Sequence, residues 1–268
     1  MSLFRRLEKA RQAFARGDVQ AATAAHALGQ ITHAAGEEHG GAGEQYIGDM
    51  VYGGLDGIIT TFAVISGVAG AELGTHVVLI LGLANLFADG LAMATGAYLS
   101  GKSEQEYYER ELQRETWEVA HLPDAERAEL YEIYRRQGYS DEEVRRLVEI
   151  KTRDPERWIK AMMVEELGML ENERKPPLSA LATLVSFIVA GSVPLLVYLL
   201  GLITPVPSGV AFPVSIGLSA VALFGLGAAK VLVTRLNAFR SGLEMLVVGG
   251  LAAGVAYLVG AWLKGIGG

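Results

Sequence analysis

Two long stretches of this chain run almost without charge, and both divide into windows about as long as a bilayer is thick, roughly 20 residues each. Five such spans emerge, near 51–71, 76–100, 179–201, 210–233 and 243–263. Of the 268 residues 51% are hydrophobic and 20% charged, and the charges are segregated into 1–50 and 101–177. That pattern predicts an all-α, polytopic membrane protein with five transmembrane helices and a polar helical domain inserted between the second and third. Residues 1–30 alternate Arg, Glu, Gln and Ala with no continuous apolar core, unlike a cleavable signal.

Composition narrows the chemistry. With no cysteine, a metal must be held by oxygen, imidazole or thioether ligands. A net charge of −7 argues against nucleic acid as a partner. Nearly all Arg and Lys fall in 1–45, 101–178 and 234–242, and none in the connections 71–76 and 202–213, so the N-terminus and the insert are expected in the cytoplasm. Lys264 runs against that rule. The expected domains are a cytoplasmic segment 1–45, spans one and two in 46–100, the helical insert 101–178, and spans three to five in 179–268. Leu3, Leu7 and Phe14 with intervening basic residues fit an amphipathic helix on the membrane surface, or a plain solvated one.

The insert reads as four helices. Residues 102–121 continue the second span, and Asp124–Gln137 stops at Gly138. Ser140 with Glu143 forms a capping box, and Asp154-Pro155 opens a fourth helix running to about Glu173. Such a domain is too small for a large core, so support from the membrane helices, a partner subunit or bound metal is expected. Glu111, Glu115 and Glu118 share one helix face, Glu126 and Glu129 another, and Met162, Met163, Glu165 and Glu166 cluster on the fourth. Any one Glu fits a solvated acidic face. Carboxylates mixed with thioethers instead fit a borderline divalent ion such as Fe2+ better than Ca2+ or Mg2+.

Inside the spans, Asp56 and Asp89 are costly unless buried, paired, protonated or hydrated, which marks them as functional candidates. Met93 lies one turn beyond Asp89, and Asp56 and Met93 are each about 8–11 Å in from the cytoplasmic side at 1.5 Å per residue. Asp49, at the mouth, fits either an ion relay or a helix cap. Gly53 with Gly57, Ala92 with Gly96 and Gly250 with Gly254 form small-xxx-small pairs suited to close helix packing.

Asp49 through Gly67, Gly82-Leu83-Ala84-Asn85-Leu86 through Glu104, Glu111-Leu112-Gln113-Arg114-Glu115, and Met162-Met163 followed by Glu166 together resemble the vacuolar iron transporter family, over roughly residues 46–263 and in the same order. The resemblance implies a homodimer with five transmembrane helices per subunit, moving Fe2+, and in some members Mn2+, out of the cytoplasm in exchange for protons. No cofactor is expected; Fe2+ is cargo, with Mn2+, Zn2+ and Co2+ as alternatives. By the same resemblance Asp56 and Met93 match the translocation site, and Glu115, Glu118, Glu126, Glu129, Met162, Met163 and Glu166 match the metal-binding domain. Asn85 departs from the glutamate of plant members, as in nodulin-like and many bacterial members, and Asp89 replaces a small residue; both bear on ion preference and proton coupling. A bacterial inner membrane or a vacuolar membrane fits equally.

Three other readings are weaker. An intramembrane aspartyl protease would use Asp56 and Asp89 but leaves the acidic insert unexplained. A di-iron oxidase would use Glu118-Val119-Ala120-His121 but needs a second Glu-x-x-His step that the chain lacks. A membrane-anchored metal sensor or store differs from a transporter by flux alone. His26, His33 and His39 with Glu37, Glu38 and Glu44 offer an additional N-terminal metal site or simple surface polarity.

Overall fold

The computed structural model describes residues 9–25 except 11 and 15, 46–204 except 173, 206–207, 209–230 and 237–266. The N-terminal His/Glu group, Leu3, Leu7 and the end of the expected fourth span therefore lie outside the described residues, while Phe14 is exposed. Among the described residues the chain is helical, without strands. We number the helices α1 (Val19–Ala25), α2 (Ile47–Gly70), α3 (Thr75–His121), α4 (Pro123–Arg136), α5 (Asp141–Lys151), α6 (Pro155–Ala161), α7 (Pro176–Gly191), α8 (Leu196–Leu200), α9 (Ala211–Ala229) and α10 (Ala238–Ile266).

Five of these segments are long and apolar enough to cross a membrane: α2, α3, Pro176–Leu200, α9 and Ala238–Gly265. They match the five expected spans. In α3 the apolar stretch ends near residue 100 and the helix continues as polar sequence to His121, 47 residues in all. At 1.5 Å per residue that is about 70 Å, more than twice a hydrocarbon core.

The chain divides into two compact units. The first comprises Met1–Leu86 and Val185–Gly268. In it α2 lies along α10, and α9 packs against both. Val51, Leu55 and Ile58 of α2 meet Leu223 of α9 in the core. Close approach depends on glycine. A Cβ on Gly57 would collide with the backbone carbonyl of Phe187, and one on Gly227 would come within 2.8 Å of the Ser241 carbonyl. The expected Gly250/Gly254 pair faces open space instead; the tight contacts of α10 are made by Gly242, Gly249 and Gly260, because its packed face is rotated from that pair.

Pro194 interrupts the third span. α7 stops at Gly191, a tighter 3-10 turn covers Val193–Leu195, and α8 resumes the helix. Proline has no N–H to donate and its ring crowds the preceding turn. Ser215 Oγ donates to the Pro194 carbonyl at 2.8 Å, supplying a polar partner at the break inside the bilayer, while the Ile188 carbonyl accepts from both the Ser192 N–H at 3.0 Å and Ser192 Oγ at 2.6 Å. Lys264 forms an ion pair with Glu72.

The second unit, Phe87–Leu184, contains the polar insert. Gly138, at φ 97°, ends the turn after α4, and the capping box of α5 forms as expected: the Ser140 N–H donates to Glu143 Oε2 at 2.8 Å and the Glu143 N–H to Ser140 Oγ at 3.5 Å. The small core gathers Leu130, Tyr134, Val144, Trp158 and Met162. The fourth insert helix is shorter than expected. After Ala161 the chain widens into a π-turn, Met162–Glu166, and Gly168 at φ 65° ends it well before Glu173. The Leu167 N–H reaches back to the Met162 carbonyl at 3.2 Å, the wider spacing of a π-turn.

Candidate metal centre

Helical spacing on α3 puts Glu111, Glu115 and Glu118 on one face, one and two turns apart. α4 begins at Pro123, whose fixed φ suits a first helical position, and presents Glu126 and Glu129 one turn apart. The π-turn after α6 supplies Glu166. Together these elements make two overlapping carboxylate triads. In the first, Glu115, Glu118 and Glu126 each bring an oxygen within 4.8 Å of the others; in the second, Glu126, Glu129 and Glu166 do the same. Glu126 belongs to both.

Two of the five are carboxylates where charge is expensive. Glu115 is 0% exposed and Glu126 3% exposed. Both Glu115 oxygens and Glu126 Oε2 lack a hydrogen-bond partner. Arg114 Nη2 does lie 2.6 Å from Glu115 Oε1, a charge contact that does not meet hydrogen-bond geometry. Buried polar atoms without partners call for an explanation, and an incoming cation would satisfy these.

The electrostatics agree. Burial first, then the neighbouring Glu166, Glu118 and Glu129, pushes the Glu115 carboxyl, on the polar extension of α3, up to about 7 against the opposing pull of Arg114. Burial, then Glu115, Glu129, Glu118 and Glu166, pushes Glu126 up to about 7. Glu166 is raised by burial and by Glu129. Like charges forced together in a poorly hydrated site favour protonation, and a divalent ion at their centre reverses that preference.

Two of the other expected ligands pair with basic side chains. Glu111 accepts from Arg114 Nε at 2.8 Å, and Glu165 accepts from Lys151 Nζ at 2.9 Å. Met162 is fully buried in the apolar core and Met163 is 1% exposed. The π-turn directs Glu165 and Glu166 to different neighbours, so residues adjacent in sequence enter different clusters.

In the membrane spans, Asp49 and Asp56 are two turns apart on one face of α2 and both are half-buried. Asp49 Oδ2 and Asn85 Nδ2 are buried without hydrogen-bond partners. Thr60 Oγ1 donates to the Asp56 carbonyl at 2.9 Å. Asp89 and Met93, also half-buried, lie one turn apart on the part of α3 that belongs to the second unit. Sequence reasoning overlooked two features. Arg114 holds three glutamates, and its spacing from Glu111 and Glu118, three residues after one and four before the other, was a signal for it. Thr61, fully buried in α2 with an unpartnered hydroxyl, had no such signal.

Comparison with known proteins places the chain among relatives along most of its length. The chain is 36% identical to a vacuolar iron transporter of Toxoplasma gondii over 270 residues, covering 97% of this chain and 89% of that protein. It is 35% identical to vacuolar iron transporter 1 of Oryza sativa subsp. japonica over 222 residues, 82% and 86% of the two chains. With vacuolar iron transporter 1 of Arabidopsis thaliana it shares 33% identity over 223 residues, 82% and 87%. Its residues 47–261 match the VIT family, and a chain with these five spans, this inserted carboxylate cluster and relatives at this identity along most of its length belongs to that family.

Proposed function

We propose that the protein is a multi-pass transporter that moves Fe2+ out of the cytoplasm in exchange for protons. Members of the VIT family are transporters rather than enzymes. The observation that carries the metal assignment is the pair of triads sharing Glu126, in which Glu126 Oε2 is buried without a hydrogen-bond partner, Glu115 meets a guanidinium by charge contact without a hydrogen bond, and both carboxyls favour protonation until a divalent ion arrives. Mn2+ is a second cargo of similar preference, with Zn2+ and Co2+ as weaker alternatives.

The roles follow from position. The insert, on the cytoplasmic side with the N-terminus, collects the cation on Glu115, Glu118, Glu126, Glu129 and Glu166, with the Met162 and Met163 sulfurs as the soft ligands that the family resemblance implies, and raises its concentration beside the membrane. Glu111 and Glu165 form the charged margin of that cluster. By the family resemblance, Asp49, at the start of α2, passes the ion inward, Asp56 on α2 and Met93 on α3 are translocation residues, and Asn85 and Asp89 set ion preference and proton coupling. A carboxylate that holds the metal when charged and a proton when empty makes the two ions compete, which is the minimum that antiport needs. Two subunits form the working unit, in a bacterial inner membrane or a vacuolar membrane.

The test is uptake into proteoliposomes that are acidic inside, with Fe2+ supplied outside under anaerobic conditions. Uptake that disappears with the gradient and with Asp56→Ala or Met93→Ala supports the proposal. Metal binding without flux under any gradient sinks it and leaves a sensor or store.

A further inference from the structure

Arg114 stands at the centre of the acidic face of α3. Its Nε donates to Glu111 Oε2 at 2.8 Å, its Nη1 to Glu118 Oε2 at 2.6 Å, and its Nη2 touches Glu115 Oε1 at 2.6 Å. Two of these three glutamates form the first metal triad together with Glu126. One guanidinium therefore neutralises carboxylates that would otherwise repel one another in the absence of metal. The Arg114 side chain is 41% exposed whereas Glu115 is fully buried, so the guanidinium has a path to water while the carboxylates stay in place.

We propose that Arg114 is a tethered counter-cation of this centre, occupying the Glu115 and Glu118 oxygens in the metal-free protein so that each arriving ion must displace it and is consequently bound more weakly and released more readily. The inference rests on the metal-centre reading above. A collecting site that hands its ion onward gains from such a competitor. Five carboxylates alone would hold a divalent cation more firmly than the same five beside a fixed positive charge, and a guanidinium, which stays charged at every relevant pH, weakens the grip without a proton of its own. Displacement is intramolecular, so the competitor is always present at high effective concentration.

The test uses the full chain in detergent with Mn2+ as an air-stable probe, titrated calorimetrically at about pH 8, where proton competition at these carboxyls is small. Arg114→Gln should raise Mn2+ affinity by about tenfold or more, because a positive charge in contact with the ligands has been removed. In thermal melts the same variant should be less stable than the parent without metal and should gain more on adding Mn2+. Arg114→Lys, which keeps the charge but loses the fork, should show a smaller rise in the same direction. Equal or lower affinity in Arg114→Gln overturns the proposal; if that variant does not fold without metal, equal or lower affinity in Arg114→Lys does so. Glu126→Gln separates the two readings. If it loses Mn2+ while Arg114→Gln binds like the parent, only the role of Arg114 fails. If the parent binds no Mn2+, or Glu126→Gln binds as well as the parent, the metal centre itself fails and this inference with it.

Discussion

At the scale of single residues, Glu126 is the decisive group, since it alone serves both triads. Replacing it with Gln keeps the shape but removes the shared charge, and Mn2+ affinity should fall by about tenfold or more in calorimetric titration. Its titration also has a defined sign. The folded protein raises the carboxyl from 4.5 to about 7, so the fold prefers the protonated form. Its contribution to stability is therefore complete below the unfolded value and is lost as pH rises through about 7. Metal-free protein should melt at a lower temperature at about pH 8 than at about pH 5, and Mn2+ should narrow or reverse that difference because metal binding displaces the protons. Thermal melts at both pH values, with and without Mn2+, check this, and a metal-free protein that is more stable at the higher pH contradicts it. The acidic spacing was readable in the sequence; which members converge was not. Glu165 and Glu166 are neighbours with identical side chains, yet one pairs with Lys151 and the other joins Glu126 and Glu129, because a π-turn rather than an α-turn carries them.

At the scale of elements, the helices of the first unit approach to glycine distance at particular points. Gly57→Ala places a methyl against the Phe187 carbonyl, which no flexible side chain can relieve, and should cost about 1–3 kcal/mol. Gly250→Ala meets nothing within 4 Å and should change stability by less than about 0.5 kcal/mol. Melting the two variants side by side in detergent tests which glycines form the packed face. In the broken third span, Ser215→Ala removes the donor to the Pro194 carbonyl, at a cost of about 0.6–1 kcal/mol. A Ser215→Ala protein as stable as the parent would mean that the break is satisfied some other way. The proline itself was visible in the sequence, but its compensating hydroxyl comes from another helix, twenty-one positions along the chain.

At the scale of the whole molecule, the chain forms its first unit from two separated stretches, up to Leu86 and from Val185, and its second from the segment between them. In the proposed function, collection falls to the glutamates of the insert, whereas translocation falls to Asp56 in the first unit and to Asp89 and Met93 in the second. The two should be separable in transport assays: Glu126→Gln should slow proteoliposome uptake at low Fe2+ and approach the parent rate at high Fe2+, whereas Asp56→Asn should abolish uptake at both. Equal loss in both variants at saturating Fe2+ would mean that the insert takes part in translocation itself.

Apolar run length and the placement of charge were enough to determine the five spans, the polar insert and its capping box, because each depends on a local pattern: a bilayer's thickness, a helical repeat, or a side chain three residues from a backbone N–H. The grouping of Glu115, Glu118, Glu126, Glu129 and Glu166, the ion triplet of Arg114, the packed face of α10 and the hydroxyl that completes the Pro194 break depended on more than that. Each turns on the rotation of a helix about its own axis or on contacts between distant parts of the chain, and those are settled only when the helices pack.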